Sequence, residues 1–121
     1  MRLDADAGAD GLPRRQLIGS LFAYTVRIDF DDPAVLRDTL AWLRDRHVSD
    51  VLAAGAHAAD LVLLDGAHAI EIRYRFASRE AFEAYERDHA PRLRSDGLSF
   101  LAGRTARFTR TTGPIVAAFG P

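Results

Sequence analysis

Two histidines and three tyrosines stand where a fold could gather them into a site. His47 interrupts an otherwise apolar helical stripe, Tyr24 and Tyr74 sit on the apolar side of two alternating segments, and Tyr85 and His89 share a further stripe. An imidazole beside phenols can orient a carbonyl or phenol ligand and move a proton at neutral pH. The same residues also suit a packed core, in which a tyrosine hydroxyl or a backbone carbonyl satisfies the buried ring. Both readings require one cluster. Trp42, close to His47 in sequence, is a ligand-binding candidate whose simplest role is packing on the helix flank beside Val35. Arg27, Arg73 and Arg75 form a second candidate group, because guanidinium forks grip carboxylates and phosphates. Their alternative role is ion pairing at a subunit interface, with Arg27 placed opposite Glu71.

Other chemistries are excluded by composition. With no cysteine, the chain has no disulfide, thiolate, iron–sulfur or cysteine–zinc site. All 16 basic residues are arginine, so no lysine can form a Schiff base. No His-Glu-x-x-His spacing occurs, and antiparallel helices would hold His47 and His89 at opposite ends of the domain. His68, beside the Asp65-Gly66 turn, reads as solvated. No metal and no cofactor are expected. A net charge of -1 with interspersed signs offers no footprint for nucleic acid or an anionic membrane. No apolar run approaches the roughly 20 residues of a membrane span, and the N-terminus lacks signal-peptide order. A cytoplasmic protein is expected.

The elements that must position these residues follow from periodicity. Residues 1–20, rich in Ala, Asp and Gly, read as a flexible tail, leaving 21–121 as a single domain. Leu21 to Phe30 alternates as a strand with Phe22, Tyr24, Val26, Ile28 and Phe30 on one face. Asp32-Pro33 starts a helix whose stripe runs Leu36, Leu40, Leu43, His47 and Val51, with a bend near His47, a short turn capped by Ser49 and a stop at Gly55. His57 to Leu64, a tight turn at Asp65-Gly66 and the alternating run through Ile70, Ile72, Tyr74 and Phe76 make a hairpin. Ser78 caps a short helix carrying Phe82, Tyr85 and His89, Arg92 to Gly103 reads as turn or loop, and Arg104 to Thr111 is the last strand. The order βαββαβ predicts an α+β, ferredoxin-like fold: a four-stranded antiparallel sheet with two helices on one face. Its other face, with Thr25, Arg27, Arg73 and Arg75, calls for a partner subunit.

These elements also place the candidates relative to one another. At ~1.5 Å per helical residue, His47 lies about 21 Å back along the domain from Pro33. Strand one returns about 20 Å between Phe30 and Tyr24, at ~3.3 Å per residue. Tyr24 and His47 are then level, Tyr74 pairs with Tyr24, and Tyr85 and His89 lie further along the same layer.

The residues Trp42-Leu43, His47-Val48, Asp50-Val51-Leu52, Gly55, Ile72, Tyr74, Ser78, Phe82, Tyr85 and His89-Ala90-Pro91-Arg92-Leu93-Arg94 resemble a bacterial "domain of unknown function" family of the dimeric α/β-barrel superfamily. The resemblance spans roughly Leu21 to Thr111. It departs at Ser49, where a proline is common, at His57, where an aromatic is expected, and at Arg73, where a glutamine is frequent. It implies the fold and a homodimer but carries no reaction. The superfamily includes haem-degrading and cofactor-free oxygenases, muconolactone-type isomerases, small-molecule sensors and inert modules, and fold alone does not select among them. The expected function is a small-molecule-binding or accessory module. The alternative is a cofactor-independent oxygenase or isomerase acting on an aromatic or lactone-like substrate. A haem-binding or haem-degrading role is a further alternative, weakened because haem-degrading members of the superfamily use an asparagine together with a tryptophan and a histidine, and the chain has no asparagine. A purely structural dimer is the remaining class, and an open cavity between helices and sheet would argue against it.

Overall fold

The computed structural model describes residues 20–121. The tail expected over 1–20 therefore lies, apart from Ser20, outside the described residues. Ser20 Oγ donates to the Ala77 carbonyl at 3.2 Å.

Alternation makes β1 (Phe22–Asp29) a strand with Phe22, Tyr24, Val26 and Ile28 buried and the residues between them half-buried. Helix α1 (Pro33–Trp42) starts as expected, with the Asp32 side chain accepting from the Ala34 amide at 2.8 Å and Pro33 in the first turn. In place of the expected bend, the helix widens into a π-helical turn, Leu43–His47, and continues directly as α2 (Val48–Ala53). The Val48 amide reaches back to the Leu43 carbonyl, the i to i−5 bond of a π turn. Ser49 caps nothing, because no side chain caps α2. Gly55 ends the run with φ at 131°, a conformation that favours glycine.

The hairpin pairs β2 (Ala58–Leu63) with β3 (Ala69–Phe76). Its turn is looser than the two-residue one expected: the Leu64 amide bonds to the Ala69 carbonyl at 3.0 Å, so Asp65 to His68 make the connection. Helix α3 (Arg79–Asp88) is capped by Ser78 Oγ, which accepts from the Ala81 amide at 3.0 Å.

The expectation of a loop after Pro91 is corrected, since residues Ala90–Leu101 form a 12-residue helix, α4. A proline in a first turn has no helical hydrogen bond to lose, so Pro91 opens α4 as well as following α3. Ala90, Leu93 and Leu101 are its buried stripe. Strand β4 (Arg107–Pro114) begins later than expected and runs through Gly113-Pro114. Pro114 is tolerated there because β4 is an edge strand.

The sheet order is β2-β3-β1-β4, with every neighbouring pair antiparallel. The register sets Tyr24 opposite Tyr74 and Arg27 opposite Glu71, as alternation requires. Side chains of β1 and β3 that point towards the helices form the core with Leu43, Val51, Tyr85, Leu93 and Leu101. Thr25, Arg27, Arg73 and Arg75 point to the opposite face, where no element of the described residues covers them.

Candidate functional site

The layer between helices and sheet is open. A cavity of about 310 Å³ lies among α1, the π turn, α4, β1 and β4, and its walls include Tyr24, Tyr74, Tyr85, Trp42 and His47. Five of the six ligand-binding candidates therefore share one space. His89 is not on its wall: it sits at the junction of α3 and α4, with Nδ1 3.3 Å from Arg92 Nη2.

The π turn positions the ring pair at the helical end. In a regular helix, residues five apart point roughly 140° away from one another at ~100° per residue. The wider turn swings His47 back beneath Trp42, and the two rings stack with centroids 4.5 Å apart at 20°. Phe100 of α4 stacks on the same indole at 4.6 Å and 11°. Trp42 is thus part of a three-ring stack on the cavity wall as well as a flank residue. Burial pushes the His47 imidazole below its usual titration range, opposed more weakly by Asp50 and Asp96. Its Nδ1 is buried without a hydrogen-bond partner, as is Thr39 Oγ1 of α1. The neutral ring lines the cavity, but its Nδ1 is enclosed, so a proton or hydrogen bond from a bound molecule would have to reach the ring's other nitrogen.

The sheet end is built on phenols and guanidinium groups. Tyr24 and Tyr74 stack with centroids 5.7 Å apart at 19°, and Tyr85 lies 6.3 Å from Tyr24. Burial, and secondarily the other tyrosines, raises the Tyr74 phenol above its normal range. Burial likewise leaves Tyr85 pushed up to about 12, so both remain protonated donors at neutral pH. The Tyr24 hydroxyl accepts from Arg94 Nη2 and from Arg110 Nε, each at 3.2 Å. Arg94 Nη2 also bonds Glu86 at 2.6 Å.

Arg27, Arg73 and Arg75 stand apart, on the far face of the sheet. Arg27 does stand opposite Glu71, but the ion pairs form within each strand, Arg27 with Asp29 at 3.1 Å and Arg73 with Glu71 at 2.8 Å. Side chains at i and i+2 of a strand share a face, so these partners compete with the cross-strand one. Among the described residues no group of three or more His, Asp or Glu is arranged to hold a metal ion. No helix among them is long and apolar enough to cross a membrane.

The family model described as Domain of unknown function (DUF4286) matches residues 21–114, a span that includes all four strands. The chain belongs to this family. The DUF4286 match thus takes in every residue named on the cavity wall. Among curated proteins none matches the chain. Among solved structures, it is similar to a dimeric ferredoxin-like protein from an uncultured marine organism, at 17% identity and a TM-score of 0.61, over 84% of this chain and 100% of that one. It is also similar to the monooxygenase from the gene ActVA-Orf6 of Streptomyces coelicolor, in complex with nanaomycin D, at 19% identity and a TM-score of 0.65, over 88% and 97%. SnoaB, a cofactor-independent oxygenase from Streptomyces nogalater, is similar at 13% identity and a TM-score of 0.53, over 78% and 93%. At these identities the likeness is one of fold.

Several wall residues of this DUF4286 chain escape sequence reasoning. Thr39, Arg94, Gly97, Phe100 and Arg110 all line the cavity. Three of them lie on α4, the helix hidden by Pro91 and the turn-forming Ser95, Asp96 and Gly97. Arg110 is on β4, where arginines fall on both faces and blur the alternation.

Proposed function

We propose that this DUF4286 protein is a homodimeric module that binds a small, flat aromatic molecule in the cavity between its helices and sheet. The observation that carries the reading is the cavity itself, about 310 Å³ and walled by stacked rings with polar tips. A void of that size costs packing energy, which a purely structural domain has no reason to retain. Gly97 supports the same view. It lies inside α4, where alanine is favoured by about 1 kcal/mol, and an added Cβ would meet only Trp42 Cη2 at an ordinary 3.7 Å. Glycine there leaves space beside the indole at the expense of the helix. Gly97→Ala is expected to raise unfolding free energy by about 0.5–1 kcal/mol, whereas Gly97→Leu fills the cavity. Trp42 is the sole tryptophan, so its emission reports on occupancy. Naphthalene derivatives titrated into the protein should quench it, and Gly97→Leu should abolish the saturable part. Equal saturable quenching in both proteins would defeat the reading.

The homodimer is supported by the bare sheet face around Thr25, Arg27, Arg73 and Arg75 and by the unpaired edge of β4. The marine protein of similar fold is described as dimeric. Light scattering after gel filtration should give twice the 13.3 kDa chain mass. Thr25→Arg, which adds a bulky unpaired charge to this face that a partner would have to bury, should return the protein to monomer. A wild-type monomer at micromolar concentration would sink the dimer.

A further inference from the structure

We propose that the ligand of this cavity is an aromatic carboxylate, its anionic head held at the sheet end by Tyr24 and Arg110; this rests on the cavity reading above. The argument begins with the charges on the wall. Two arginines, Arg94 and Arg110, line the cavity, and no aspartate or glutamate does. Arg94 is largely neutralised by Glu86 at 2.6 Å. Among the described residues Arg110 has no carboxylate partner, and its guanidinium otherwise rests over the Phe108 ring at 5.3 Å. Its position is fixed by register: opposite Val26, it shares the helix-facing side of the sheet with Tyr24.

The proton count at Tyr24 points the same way. A phenol oxygen has two acceptor sites and one proton. Arg94 Nη2 and Arg110 Nε donate to that oxygen, which leaves the Tyr24 O–H as a donor. Arg110 uses only its Nε in that contact, so its terminal nitrogens remain available as well. A phenolic donor beside an uncompensated guanidinium is a donor-only cradle, which disfavours a cation and, through charge assistance, holds a carboxylate more strongly than a neutral carbonyl or hydroxyl oxygen. The opposite wall is the Trp42, His47 and Phe100 stack, which suits a ring. The two ends together specify an aromatic acid whose carboxylate reaches the sheet while its ring lies against the indole.

Isothermal titration of the full chain with 2-naphthoate and with its neutral counterpart 2-naphthalenemethanol tests the assignment. A charge-assisted contact, discounted because Arg110 is exposed, should favour the acid by about tenfold. Arg110→Gln should bring the two affinities to within about twofold of each other, with the larger loss on the acid. Arg110 lies on an exposed edge strand, so the variant should fold, and Arg110→Lys should recover part of the preference. If the alcohol binds as well as the acid to the wild type, or the preference survives Arg110→Gln, the anion assignment fails while the cavity reading stands. If neither probe binds, both fail.

Discussion

Phe76→Ala lowers the unfolding free energy by about 3–5 kcal/mol, the range for removing a buried phenyl ring. The expectation rests on where the ring lies. Phe76 ends β3 at 0% exposure, opposite Phe22, with Phe82 at 5.3 Å, Tyr85 at 5.2 Å and Tyr24 at 6.4 Å. It joins the sheet to α3 through aromatic contacts and is not on the cavity wall, so its removal opens a new void. The two faces of the aromatic layer should therefore behave differently. Tyr74→Phe, on the cavity wall, removes a hydroxyl that has no hydrogen-bond partner among the described residues, and should change stability by less than about 0.5 kcal/mol. Urea unfolding monitored by circular dichroism measures both. A Phe76→Ala cost near that of Tyr74→Phe would mean that α3 is not anchored through this cluster.

The contrast between Phe76 and Tyr74 was accessible to sequence reasoning only in part. Strand alternation gives the faces of β1 and β3, and the antiparallel order then fixes Tyr24 opposite Tyr74, because a one-residue slip would turn the apolar side outward. Asp32 and Ser78 mark their helix starts because a side-chain oxygen there meets an unpaired amide. What the sequence hides has local causes. A π turn inserts a widening that a 3.6-residue period does not register, so the Leu43 to His47 segment reads as helix with a bend near His47 and the Trp42–His47 stack is invisible. Pro91 and Gly97 read as breakers although one opens α4 and the other lies against the cavity, and with that helix went Arg94 and Phe100. In both places a rule of local preference gives way at the wall of the cavity, which is where functional constraint is expected to override it.

The π turn is also the basis of the second large effect, expected at Trp42→Ala. The indole is half-buried and already borders empty space, so its loss should cost about 3 kcal/mol, the lower end for a large aromatic. The more specific consequence is at His47. The imidazole titrates low because burial disfavours its charged form, and the stacked indole is one of the groups that keep water from it. In the wild type the native state therefore binds fewer protons than the unfolded chain between the lowered value and about 6.5. Stability contributed by this group is present above about pH 6.5 and is lost as pH falls through that window. Removing the indole admits water to the ring, so the His47 titration should move up towards 6.5 and the acid-side loss should shrink. Proton NMR of the His47 ring gives the midpoint directly, and urea unfolding at pH 5 and pH 7 gives the linkage. Asp50 and Asp96, which oppose the burial effect, are unchanged in the variant and so cannot supply the shift. A midpoint that stays where it was would show that Leu43, Val51 and the helix backbone dry the ring without the indole, and that the stack has no part in keeping His47 neutral.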